Sequence, residues 1–176
     1  SALPKIKSLR YRFIKLQNGL ILLILSFFII FSGCSGAQLR NWPQSHEYMP
    51  GRYVLNSVLF YPQKAFQCGP SALAMALEWS GVPSNPEELS SEVFTPPRKG
   101  SLQSAIIAAS RRHGRVAYTV SEPDALLAEI SAGHPVIVLQ NLGLSWFPTW
   151  HYAVVIGYDL RKGVMFLHSG TTPRKQ

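Results

Sequence analysis

"QKAFQCGPSALAMALEW" runs from Gln63 to Trp79, and its reading organises the rest of the chain. Ala72, Leu73, Ala76 and Leu77 form an apolar stripe at helical spacing. Pro70 suits a first helical turn, where its missing N–H costs nothing. Gly81 and Pro83 stop the run. Cys68 is therefore placed at a helix start. The first N–H groups there lack an intrahelical partner, and the helix dipole favours negative charge. A thiolate is negative, so the position suits a nucleophilic cysteine. Gly69 leaves room for another chain to pass close to the sulfur.

Upstream, the composition is lopsided. The 176 residues carry a formal charge of +8. Lys5, Lys7, Arg10, Arg12 and Lys15 supply much of it, and no acidic residue precedes Glu47. From Cys34 onward 12 basic residues face 9 acidic ones, which argues against nucleic acid as a partner. The basic start leads into "LILLILSFFIIF" (Leu20 to Phe31). That core is short for a bilayer span of about 20 residues and typical of a signal-peptide h-region. "FSGC" follows and resembles a lipoprotein box, with Phe31 where Leu is usual and Cys34 as the lipidated residue. An uncleaved anchor with an incidental Cys34 is the competing reading. Both place the domain at a bacterial membrane, facing the periplasm or exterior. Residues 1–33 are thus expected to be a lipoprotein signal peptide, 34–52 a linker and 53–176 the folded domain. Lipidation of Cys34 would leave Cys68 unpaired; a Cys34–Cys68 disulfide is the alternative.

Downstream, "YVLNSVLFYP" (53–62) has strand composition and stops at Pro62. "SNPEELSSEVF" reads as a second helix capped by Asn85, "SLQSAIIAASRRHG" as a third capped by Ser101, and "SEPDALLAEISAG" as a fourth opened by Ser121 and Pro123. "RVAYTV" (115–120) reads as a strand between the last two helices, and "PVIVLQNL" as a buried strand. "GLSWFPTW" is an aromatic loop, either a core plug or a substrate wall. "HYAVVIGYD" and "VMFLHSG" form a hairpin about the turn "LRKG". Helices come first and strands cluster late. The expected class is α+β, an N-terminal helical part packed on an antiparallel sheet. The chain stops at Gln176 soon after the last strand, so a truncated domain is expected.

A cysteine nucleophile needs a base. His46 lies in the linker, and His113 and His134 lie at helix or turn ends. His151 opens an apolar strand beside the aromatic loop and is the best placed. The backbone N–H of Cys68 is one oxyanion donor, and an upstream amide, Gln63 in preference to Gln67, is the second. No CxxC, HExxH or HxH pair and no phosphate-cradling glycine loop is present, so neither metal nor cofactor is expected.

"Q-x-x-x-QCGPSALAMAL", "AGHPVIVLQN" and "WHYAVVIGYD", in that order, resemble the papain-like peptidases that cut double-glycine leaders from bacteriocins. The resemblance is closest to stand-alone lipoprotein relatives of that family. It covers about Tyr53 to Gly170. It implies that Cys68 is the nucleophile, His151 the base and acid, and Gln63 the oxyanion donor. The implied reaction is hydrolysis of a peptide bond in a peptide or protein substrate through a thioester. Two features depart from the family. The Gln stands five residues before the Cys, where six is frequent. The third catalytic position, usually Asp, falls on Ser169 in "LHSG". If the hairpin turn centres between Leu160 and Arg161, His151 faces the stretch from Ser169 to Thr171. Asp159 lies eight residues away along its own strand, too far to orient His151. A peptide-binding lipoprotein that has lost turnover is therefore the alternative function.

Overall fold

A computed structural model describes residues 49–176. The expected signal segment, Cys34, His46 and most of the linker lie outside the described residues. The elements, in chain order, are β1 (Arg52–Val54), α1 (Cys68–Trp79), α2 (Pro86–Val93), β2 (Phe94–Thr95) and β3 (Gly100–Ser101). There follow α3 (Gln103–Arg112), α4 (Pro123–Ser131), β4 (Val136–Asn141), β5 (Trp150–Asp159), β6 (Val164–Ser169) and β7 (Thr172–Lys175).

Helix α1 is the buried axis of the domain. Gly69 through Met75 and Leu77 are buried. A helix apolar nearly all round belongs inside. No side chain caps its start, and its last turn holds no basic residue. A 12-residue helix is marginal by itself. Burial of Leu73, Met75 and Leu77 supplies the stability, at about 1.5–3 kcal/mol for each full-sized side chain. Helix α2, in contrast, carries local signals: Asn85 Oδ1 accepts the Glu88 N–H at 3.0 Å, and Pro86 occupies the first turn.

Strand β5 is the spine of the sheet, buried from Tyr152 through Asp159. Its pairings are all antiparallel. β4 takes its first half (Asn141↔Trp150 to Val136↔Val155), and β1 takes the same edge further on (Arg52↔Asp159). β6 takes the opposite edge (Val154↔His168, Asp159↔Val164), with a bulge between Val155 and Gly157, and β7 follows β6. α1 and α4 both pack on β5. The fold is α+β, with helices against a curled antiparallel sheet.

Several sequence expectations need correction. Of the first expected strand only Tyr53 and Val54 pair, with Arg52 ahead of them; residues 55–62 run irregularly, and Leu55 and Val58 enter the core without a ladder. "RVAYTV" is not a strand. Its Val116 and Tyr118 are exposed, and the segment is tied by side chains: Arg111 donates to the Ala117 carbonyl, and the Tyr118 hydroxyl to Glu129. α3 begins at Gln103 after Leu102, because Ser101 is used as a β3 residue paired with Phe94. Thus Ser101 is no cap; its hydroxyl is buried with no partner. α4 starts after Glu122, with no side-chain cap. β4 is half-buried, since only one of its edges is paired within the sheet. The short β7 has no counterpart in the sequence reading.

Candidate active site

Cys68 is the first residue of α1 and is partly exposed. The chain reaches it through a turn closed by Gln67 N–H donating to the Lys64 carbonyl at 3.0 Å. Phe66 holds φ +63° within that turn, a left-handed conformation that is uncommon for a bulky side chain. Gly69 is needed for a different reason. A Cβ there would stand 2.3 Å from Ser101 Oγ and 2.5 Å from Ser101 Cβ. The β2–β3 hairpin therefore seals one side of the helix start.

His151 is the second residue of β5 and pairs with Gln140 of β4. Its Nε2 lies 3.1 Å from Ser169 Oγ. The hairpin brings these two together: the register Val154↔His168 and Val155↔Leu167 carries His151 to the end of β6, where Ser169 stands. Ser169 is buried. Burial of the imidazole, and next the charge of Lys175, push the His151 pKa below its usual value. Asp159 is at the far end of β5, where it faces Arg52 at 3.7 Å and accepts the Lys162 N–H. It has no part in this cluster.

Gln63 is the residue that joins the pieces. Its backbone N–H donates to the Gly170 carbonyl at 2.9 Å, and its Oε1 accepts the Gly170 N–H at 2.7 Å. Its Nε2 donates to the Tyr152 carbonyl at 3.0 Å and, at the long distance of 3.4 Å, to the Cys68 carbonyl. One buried amide thus touches the start of α1, the residue after His151, and the residue after Ser169. Gln67 makes no comparable side-chain link and serves as the residue before α1. The Tyr152 ring lies against the start of α1, 3.6 Å from a Cβ built on Gly69, and burial raises the pKa of its hydroxyl.

The other histidines differ. His113 pairs with Glu92 at 2.9 Å and His134 with Glu129 at 2.8 Å, both near the surface. His168 was not singled out by sequence. It is buried, its Nε2 donates to the Val58 carbonyl at 3.1 Å, and its Nδ1 accepts the Arg174 N–H at 3.2 Å. It pins the irregular 55–62 segment to β6. Gly170 falls in the stretch expected to face His151, and Tyr152 follows His151 directly, but the sequence does not foretell the bonds of both to Gln63 or the approach of Lys175. No local motif shows them, because Gln63 and Lys175 reach the site only through the folded sheet.

The aromatic loop is not a core plug, since Trp146, Phe147 and Trp150 are all exposed. A separate cavity of about 610 Å³ lies between α1, α3, α4 and β4, with the 115–120 segment along it. It reaches Tyr152 and Leu139 at the site end.

A family model described as "Peptidase_C39 like family" matches residues 55–173. The chain belongs to that family. The match spans every element from α1 to β6 and includes Gln63, Cys68, His151 and Ser169. Members of the Peptidase_C39 like family are cysteine peptidase-type hydrolases, so peptides or proteins are the substrate class at family level. No curated protein matches the chain, and no solved structure does.

Proposed function

We propose that this Peptidase_C39 like chain is a membrane-tethered cysteine peptidase in which Cys68 attacks and His151 transfers the proton. The observation that carries the reading is the Gln63 clasp, which ties the Cys68 carbonyl, the Tyr152 carbonyl and Gly170 to one side chain. Cys68, His151 and Ser169 adjoin those three points.

The steps follow from the contacts. With Nε2–H donating to Ser169 Oγ, the His151 Nδ1 lone pair is left to accept the Cys68 proton. Its lowered pKa keeps the ring neutral, and so basic, at neutral pH. The sulfur attacks the peptide carbonyl. The developing oxyanion takes the Cys68 N–H, which has no intrahelical acceptor. Gln63 is the second donor: its other Nε2–H makes only the long 3.4 Å bond to the Cys68 carbonyl and can be given up to the oxyanion while the amide stays fixed by Tyr152 and Gly170. Imidazolium then protonates the leaving amine, and water, deprotonated by the same ring, hydrolyses the thioester. Ser169 stands where the family has Asp, so it orients the ring without adding a negative charge. The basic and apolar start of the sequence, with Cys34 in a lipoprotein-like box, supports tethering at the bacterial cell envelope.

The test is peptide hydrolysis by the purified chain, with new termini identified by mass spectrometry. Cys68→Ala and His151→Ala are expected to abolish them. Tight binding of peptides by the parent chain with no new termini would instead assign the site to peptide capture without turnover, the second reading that Ser169 favours.

A further inference from the structure

We infer that the loop between β4 and β5 is a bilayer-docking surface, which Trp146 and Phe147 enter at the level of the lipid headgroups. This inference rests on the membrane tether proposed above. Trp146 is 80% exposed, Phe147 75% and Trp150 60%. Leu142 and Leu144 are exposed with them. Large apolar patches on a surface mark interaction sites. The loop is built to hold its side chains outward. Asn141 Oδ1 accepts both the Gly143 N–H at 3.0 Å and the Thr149 N–H at 2.9 Å. The Leu142 N–H donates to the Thr149 carbonyl, and Leu144 bridges Phe147. A Cβ on Gly143 would lie 2.4 Å from the Phe147 carbonyl oxygen, so only glycine permits this closure. The aromatics are displayed on a braced loop and do not fold back onto the core.

Chemistry selects the occupant. All three aromatics protrude from the loop, and none lines the 610 Å³ cavity. Protruding Trp and Phe suit the headgroup boundary, where interfacial segments bury an apolar face. From Pro135 to Tyr158 the chain has no acidic residue. The neighbouring charges are basic: Arg174 and Lys175 stand exposed on β7, which pairs with the end of β6 where Ser169 meets His151. That balance fits anionic lipid. Among the described residues no helix is long and apolar enough to cross a membrane. Because Trp150 precedes His151 directly, the site would open toward the bilayer surface and act on peptide segments presented there.

The full chain is mixed with phosphatidylglycerol-rich vesicles carrying brominated acyl chains, which quench nearby tryptophan. Flotation and emission are read together. Interfacial aromatics sit about 5–10 Å into the boundary, within reach of the quencher, so the emission of Trp146 is expected to fall. Trp146→Ser with Phe147→Ser should abolish most of that quenching while flotation and the thermal midpoint hold, both side chains being exposed. Added salt, or Arg174→Gln with Lys175→Gln, should weaken it. Flotation with unquenched emission overturns the docking surface and leaves the tether standing. Failure to float overturns both. Loss of soluble-peptide cleavage in the Trp146→Ser, Phe147→Ser chain, with no quenching in the parent, assigns the loop to substrate and also overturns it.

Discussion

Replacing Ser169 by Ala removes one contact, the 3.1 Å bond to His151 Nε2. A neutral hydrogen bond contributes about 0.5–1.5 kcal/mol. If that bond orients the ring for proton transfer, kcat should fall about 2- to 13-fold with KM little changed. This is far below the roughly 10⁴-fold cost of spoiling the carboxylate in a serine triad, because a hydroxyl holds the ring without stabilising its charge. Ser169→Asp makes the opposite prediction. A carboxylate accepting from Nε2–H forms a charge-assisted bond, roughly twice as strong. It should raise kcat and move the acid limb of the pH–rate profile upward. Ser169 is buried, so the new charge is expected to lower the thermal midpoint. Initial rates on a fluorogenic peptide, with calorimetry alongside, read both effects. An Ala variant at the parent rate together with an Asp variant showing no gain would refute the orienting role. A loss of 10³-fold or more in the Ala variant would refute it too, since no single neutral hydrogen bond accounts for that.

Three further outcomes follow from the same contacts. Burial and Lys175 both hold the His151 pKa below its usual 6.5, so the acid limb of kcat/KM should lie below that pH; Lys175→Gln should shift it upward without reaching 6.5, and no shift would remove Lys175 from the site's electrostatics. Burial likewise depresses His168. The unfolded chain then takes up a proton below about pH 6.5 before the folded chain does, so urea stability should hold above that pH and fall as pH drops toward the folded pKa. His168→Leu leaves the Val58 carbonyl without its donor, should cost about 1–3 kcal/mol at pH 7.5, and should flatten that acid loss. Finally, Gly69→Ala should destabilise by about 1–3 kcal/mol through its clash with Ser101 Cβ, and adding Ser101→Gly should restore most of it; Ser101→Ala alone should be neutral or stabilising, because it deletes an unpartnered buried hydroxyl.

The parts of the fold that local pattern encodes were legible in the sequence. α1 announces itself by the Ala72–Leu77 stripe and Pro70, and the β5–β6 hairpin by its turn, whose register alone sets Ser169 near His151. Strand composition misled twice. Residues 55–62 and 115–120 are rich in β-formers, yet β propensity reports fit to a half-buried surface, not possession of a partner. Leu55 and Val58 satisfy it by entering the core, and the 115–120 segment is held by Arg111 and Glu129 side chains. Ser101 resembled a cap, but pairing with Phe94 took precedence over the local signal. The Gln63 clasp was only half legible. Proximity to Cys68 marked the residue, while Tyr152 and Gly170 lie 89 and 107 positions away and are joined to it only by the folded sheet.

The most direct test of the central claim is iodoacetamide titration of the chain with peptide cleavage followed in the same samples. Tryptic mass spectrometry gives the fraction of Cys68 alkylated at each time. Cleavage is predicted to fall in direct proportion to that fraction, and alkylation should slow in His151→Ala. Full cleavage by a chain whose Cys68 is completely alkylated would contradict the account.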